Sequence, residues 1–260
     1  RPSFVGHGPS RGARTDLSKV PDVTRAFWIL KILATTLGET GGDAVSMSMD
    51  LGYLVGSAIF MVVFVAAVAL QIKEKKFHPV SYWATIIAST TVGTTLAEFA
   101  TRSLGIGYAG GACILFMLLI GSFVLWYRTL GSVDIHTVGS PQSESLYWLT
   151  IMISQTLGTA LGDWTADTAE LGYLGGAAIF SGLLLLVVAA YLFTKSSRTF
   201  LFWVAFVLTR PLGAVVGDYL DKPAAQGGLE LSRYSATAAL IVLIVIGIAV
   251  FPQRAAQRAH

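Results

Sequence analysis

The stretch 36-TLGETGGDAVSMSMDLGYLVGSAIF-60 decides the fold, because a close copy of it returns as 156-TLGTALGDWTADTAELGYLGGAAIF-180. Aligned without gaps, the two agree at 13 of 25 positions. Each is apolar enough to lie in a bilayer, yet each carries carboxylates: Glu39, Asp43 and Asp50 in the first, Asp163, Asp167 and Glu170 in the second. A repeated carboxylate in an apolar setting points to an internal duplication that keeps its acids for a reason.

The tryptophans extend the repeat to the whole chain. Trp28, Trp83, Trp148 and Trp203 each stand ten residues before a glycine: Gly38, Gly93, Gly158 and Gly213. Four residues later comes a small residue (Gly42, Ala97, Gly162, Gly217), and directly after it an acid: Asp43, Glu98, Asp163 and Asp218. The pattern W-x9-G-x3-[GA]-[DE] thus occurs in four units. A tyrosine opens the second half of each unit: Tyr53, Tyr108, Tyr173 and Tyr234. In the fourth unit the segment 221-DKPAAQGGLELS-232 holds a six-residue insertion. The tryptophan steps of 55, 65 and 55 residues put units one and three 120 apart, and units two and four likewise, as expected of a duplicated two-unit half.

These motifs resemble the bacterial membrane proteins built from four tandem copies of a repeat of unknown function, each with two transmembrane segments and a tryptophan. The resemblance covers residues 23–251. It implies eight helices and gives no activity, so function has to come from the residues.

Composition agrees with a membrane protein. Of 260 residues, 54% are hydrophobic and 13% charged, with a mean hydropathy of +0.66; soluble domains average about 25% charged. Runs such as 51–72, 108–127, 171–193 and 234–251 reach the roughly 20 apolar residues that a bilayer core requires. The expected architecture is all-α and polytopic, with eight transmembrane helices as four parallel two-helix repeats with pseudo-twofold halves. The expected spans are 23–46, 50–72, 80–101, 107–127, 145–167, 171–193, 199–219 and 232–251. They form repeats 23–72, 80–127, 145–193 and 199–251. Residues 1–22 are polar, show no signal-peptide pattern, and are expected to be a flexible or surface-lying cytoplasmic tail, with 252–260 a C-terminal tail. Of the 18 lysines and arginines, 13 fall in the tails and in the loops after even-numbered helices. The positive-inside rule then places both termini in the cytoplasm, in a bacterial inner membrane.

Nucleic-acid binding is not expected, since the net charge of +3 comes from bases that flank apolar runs. Cys113, the single cysteine, allows no internal disulfide and no multi-cysteine metal site; it is read as a small buried residue. An enzyme is not expected: no nucleophile–base pair, H-E-x-x-H or phosphate loop is present, and His78 and His136 fall in loops.

The odd-numbered helices carry the polar residues. At offsets −3, +1, +5 and +9 from the frame glycine, steps of four keep residues on one helix face. Those positions are Thr35, Glu39, Asp43, Met47; Thr90, Thr94, Glu98, Arg102; Gln155, Thr159, Asp163, Asp167; and Arg210, Ala214, Asp218, Lys222. G-x3-G pairs on three of these helices permit close approach, so the odd helices are expected to form an inner ring with the apolar even helices outside. The acid lies fifteen residues after the tryptophan, roughly 22 Å at 1.5 Å per residue, past the midplane.

Six stripe acids facing lipid would each cost at least about 2.5–3.5 kcal/mol, so they must face one another, water, a bound cation or protons. Glu39, Asp43, Glu98, Asp163, Asp167 and Asp218 are the candidate metal ligands. Thr35, Thr90, Thr94, Gln155, Thr159 and Arg210 are candidates for the substrate pathway. All-oxygen ligation favours a hard divalent cation such as Mn²⁺ or Mg²⁺, bound as cargo, with no cofactor required. Titrating carboxylates would couple its movement to protons. Two other readings stay open. One is a scaffold or accessory subunit of a larger membrane complex, in which the acids pair with Lys31, Arg102 and Arg210 or cap turns. The other is transport of a small organic cation. Asp50, Glu170, Asp221 and Glu230 are assigned to turns, the tryptophans to interface anchoring or packing, and Met47 to packing. The bilayer is the expected partner, and a homo-oligomer or membrane complex is compatible with the sequence.

Overall fold

The computed structural model describes residues 18–169 and 171–256. The chain runs α1 Arg25–Asp43, α2 Gly52–Lys73, α3 Pro79–Glu98, α4 Tyr108–Leu130, α5 Pro141–Asp163, α6 Gly172–Phe193, α7 Arg198–Asp221 and α8 Arg233–Val250. Among the described residues there is no strand, only an isolated bridge between Pro21 and Ala255. Five helices, α2, α4, α6, α7 and α8, are long and apolar enough to cross a membrane.

Local signals set the helix starts. Thr24, Ser140 and Ser197 accept a hydrogen bond from the backbone N–H three residues on, the usual N-cap role of a hydroxyl. Pro79 and Pro141 occupy the first turn, where a missing N–H does no harm. The far ends of α1, α3 and α5 widen into one π-turn each, Ala44–Ser48, Phe99–Ser103 and Trp164–Thr168, immediately after the frame acid. Then Gly52, Gly107 and Gly172 take positive φ directly before the unit tyrosine, a conformation that glycine adopts without steric penalty. Unit four replaces this turn by its insertion, and α7 continues to Asp221.

The four odd helices form a closed ring in which α1 packs on α3 and α7, and α5 packs on the same two. Each even helix covers the next unit's inner helix: α2 on α3, α4 on α5, α6 on α7, and α8 closing the ring on α1. The outer helices α2, α4, α6 and α8 are only 11–22% buried over their apolar windows, against 72% for α7. Inner and outer layers therefore fall where the residue pattern places them.

The ring has one aromatic end. The residue before each frame tryptophan is itself aromatic, and it meets the next unit's tryptophan. The ring centroids of Phe27–Trp83 and Tyr82–Trp148 are 5.6 Å apart, those of Tyr147–Trp203 6.1 Å and of Phe202–Trp28 5.8 Å. Such pairs contribute about 0.5–1.5 kcal/mol each beyond their burial. Trp83, Trp148 and Trp203 are buried, so packing and not interface anchoring is their role. The four N-termini meet here and the four frame acids meet at the opposite end, so the inner helices are parallel.

Two expectations are corrected here. Residues 18–22 are not a loose tail. Ser18 Oγ donates to Ile135 O at 2.6 Å, Lys19 N to Val138 O at 2.8 Å, and buried Lys19 pairs with Glu144 at 2.7 Å, sealing the aromatic end. Residues 1–17 lie outside the described residues. Cys113 is exposed, not buried, because α4 is an outer helix.

Candidate functional site: the carboxylate layer

Glycines in the ring bring the polar stripes together. A Cβ on Gly38 would collide with Thr90, on Gly93 with Gln155, on Gly158 with Arg210 and on Gly213 with Thr35. In each case the −3 residue of one unit rests on the frame glycine of the preceding unit, around the full circle. One turn on, Thr94 rests against Gly42, Ala214 against Gly162 and Glu39 against Gly217. Hydroxyls bond across these seams: Thr90 Oγ1 lies 3.2 Å from Ala34 O, Thr94 Oγ1 3.1 Å from Gly38 O and Thr35 Oγ1 3.3 Å from Thr209 O. Inter-helix bonds of this kind hold apolar bundles where hydrophobic burial gives little discrimination.

From the aromatic end the stripes make successive layers. Thr35, Thr90, Gln155 and Arg210 are fully buried. Arg210 Nη2 reaches to the next layer, where it donates to Glu39 Oε2 at 2.8 Å, to Thr94 Oγ1 at 2.6 Å and to Thr159 Oγ1. The frame acids follow. Lys222 bonds Asp43 and lies 3.2 Å from Asp218. Arg233 Nε lies 3.0 Å from Asp221 and 3.9 Å from Asp43. Arg102 lies 4.0 Å from Glu98 and 3.9 Å from both Asp163 and Asp167. Beyond them is a cavity of about 490 Å³ lined by Met47, Arg102, Asp167, Tyr173, Lys222 and Arg233.

Carboxylates outnumber bases in this layer. Glu39, Asp43, Glu98, Asp163, Asp218 and Asp221 are all buried, whereas the bases that reach them are Arg102, Arg210, Lys222 and Arg233. One oxygen each from Glu39, Asp163 and Asp218 lie within 4.8 Å of one another, and likewise one each from Asp43, Asp218 and Asp221. Asp43 Oδ1, Glu98 Oε2, Asp163 Oδ2 and Asp221 Oδ1 have no hydrogen-bond partner among the described residues. Buried ions without partners are costly, so the surplus negative charge needs protons or a cation. Either carboxylate trio can supply ligands to a hard cation. Adjacent ligands around such an ion sit about 3–3.5 Å apart at its usual 2.1–2.5 Å bond lengths, so the trios must close in, and Lys222 and Arg210 must yield part of their hold.

The structure brings together five of the six expected ligands, with Asp167 at the rim, 46% exposed and accepting a hydrogen bond from Tyr108 at 3.2 Å. Thr94, Thr159 and Arg210 join the layer directly, while Thr35, Thr90 and Gln155 stand one turn towards the aromatic end. Asp221, expected in a turn, is a buried member of the second trio, because α7 runs one turn longer than its counterparts. Asp50 and Glu230 are turn residues with positive φ, as expected; Glu170 lies outside the described residues. Lys31 meets no carboxylate among the described residues, and Lys222 and Arg233 take the pairing role instead. The Lys222 contribution was visible as an i, i+4 step from Asp218. The Arg233 contribution depends on the insertion folding back, with Leu229 N bonding Tyr219 O at 2.7 Å and Leu231 N bonding Leu220 O at 2.9 Å, and no local pattern marks that.

Fold and site together define a helical membrane protein with four internal repeats around a polar axis. The chain belongs to the family described as Repeat of Unknown Function (DUF347), whose profile matches residues 26–77, 81–132, 146–197 and 201–255. No curated protein and no solved structure matches it.

Proposed function

We propose that the protein carries a hard divalent cation across a membrane, with the carboxylate layer as its transit site and protons as the exchanging charge. All eight helices cross the bilayer in this reading, both termini are cytoplasmic, and the 490 Å³ cavity opens to the outside. The carrying observation is the surplus of buried carboxylates over bases, with unpartnered oxygens on four of them. Protons neutralise that surplus when no cation is bound. An arriving cation releases them, which ties the two movements together. No cofactor and no enzymatic step enter this reading.

A second reading, a scaffold or accessory subunit, draws support from the Arg210–Glu39 and Lys222–Asp43 pairs, since paired ions also occur in purely structural cores. Asp163→Asn separates the two. The amide keeps shape and one oxygen but removes a charge. Transport predicts normal protein level in the membrane with divalent flux into proteoliposomes reduced at least tenfold. Absence of flux for Mn²⁺, Mg²⁺ and Ca²⁺ alike in the parent protein would turn the assignment to the scaffold.

A further inference from the structure

Lys31 and Gln155 lie outside the carboxylate layer, and Arg210, which serves that layer through Nη2 alone, has two further nitrogens that it does not use. All three are fully buried. Lys31 Nζ sits 4.2 Å from the centroid of the Phe206 ring, one turn before Arg210 on α7, and its hydrogen bond goes to Gln155 Oε1 at 3.5 Å. Gln155 belongs to the same layer as Arg210. Arg210 commits Nη2 to Glu39, Thr94 and Thr159. Its Nε and Nη1, and Gln155 Nε2, find no partner among the described residues. The hydroxyls of Thr35 and Thr90, in the same layer, lie 2.8 Å from backbone carbonyls of their own helices. What remains is a set of donors: an ammonium, two guanidinium nitrogens with three N–H groups between them, and an amide, buried with a second positive charge close by and one carboxylate, Glu39, already engaged.

We propose that this cluster is a site for one small monovalent anion of halide size, held by Lys31 Nζ, Gln155 Nε2 and the two uncommitted nitrogens of Arg210, Nε and Nη1. An anion there satisfies the buried donors and offsets the repulsion between the two cations. Small size follows from burial, since Lys31, Gln155 and Arg210 are all 0% exposed. The site adjoins the transit site proposed above, shares Arg210 with it, and is opposite to it in charge.

The test uses the purified full chain in detergent, exchanged into chloride, bromide or gluconate at matched ionic strength. The melting temperature should rise with chloride and bromide over gluconate. Crystals grown in bromide should show its anomalous signal within hydrogen-bonding reach of Lys31 Nζ. Lys31→Met should abolish the halide dependence. Gln155→Glu, which supplies an internal carboxylate beside Lys31, should also abolish it while keeping the protein folded, so the test survives if Lys31→Met does not fold. Equal melting in all three salts, or a water in place of bromide, overturns the proposal. No flux is measured, so its failure and that of the transport reading are distinguishable.

Discussion

Four glycines, Gly38, Gly93, Gly158 and Gly213, set how closely the inner helices approach, because each accepts a polar side chain of the next unit against its bare Cα. Gly158→Ala places a methyl group on the Cβ and Cγ of Arg210. Overpacking of this sort costs about 1–3 kcal/mol, and displacing Arg210 adds the loss of its bond to Glu39. The variant should melt at a clearly lower temperature in detergent, while Gly182→Ala, whose Cβ would meet nothing within 4 Å, should not. Equal melting of the two would mean that the glycine seam does not hold the ring. A double-mutant cycle addresses the ion pair. Arg210→Gln strands Glu39 in a dry core, and breaking a buried pair costs about 3–5 kcal/mol. Adding Glu39→Gln should recover much of that loss in thermal unfolding; additive losses would refute the coupling. At this scale the sequence is largely legible. Glu39, Asp43, Glu98, Asp163 and Asp218 follow from a four-residue period. Asp221 and Arg233 do not, because their placement depends on one extra turn of α7 and on a folded-back insertion.

Among the elements, the helix ends differ most from expectation. The spans expected from hydropathy end inside the π-turns, since composition does not record a change from i+4 to i+5 bonding. Such turns are frequent at functional sites, and here each directly follows a frame acid. The two-helix unit is clear from the W-x9-G frame, but the partner of each outer helix is not. Nothing local says that α2 covers α3 or that α8 returns to α1, because that choice lies in long-range packing. The aromatic preceding each tryptophan was a usable signal for the ring order. The segment before α1 also acts as an element, through Lys19 on Glu144 and on the last carbonyls of α2 at 3.2 Å. Lys19→Gln should release it. Hydrogen exchange at Lys19 and Asp22, whose amides bond Val138 O and Arg254 O, should then rise at least tenfold with the global melting temperature little changed. Unaltered exchange would show that the clamp does not depend on this ion pair.

The molecule as a whole is a ring of four parallel inner helices closed by aromatics at one end and lined by carboxylates towards a cavity at the other. In the proposed reading, a closed aromatic end opposite an open carboxylate end is that of a carrier facing one side; a continuous pore would be open at both. The central claim is that the carboxylate layer exchanges protons for a divalent cation in transit. The most direct measurement records both movements at once: proteoliposomes enclosing a pH-sensitive dye receive an inward Mn²⁺ gradient while Mn²⁺ entry is followed independently. The account predicts Mn²⁺ entry with simultaneous alkalinisation of the lumen, and loss of both signals together in Asp163→Asn and Asp43→Asn protein of normal abundance. Mn²⁺ entry without proton movement would contradict the exchange, and equal signals in parent and variants would contradict the assignment of the carboxylate layer.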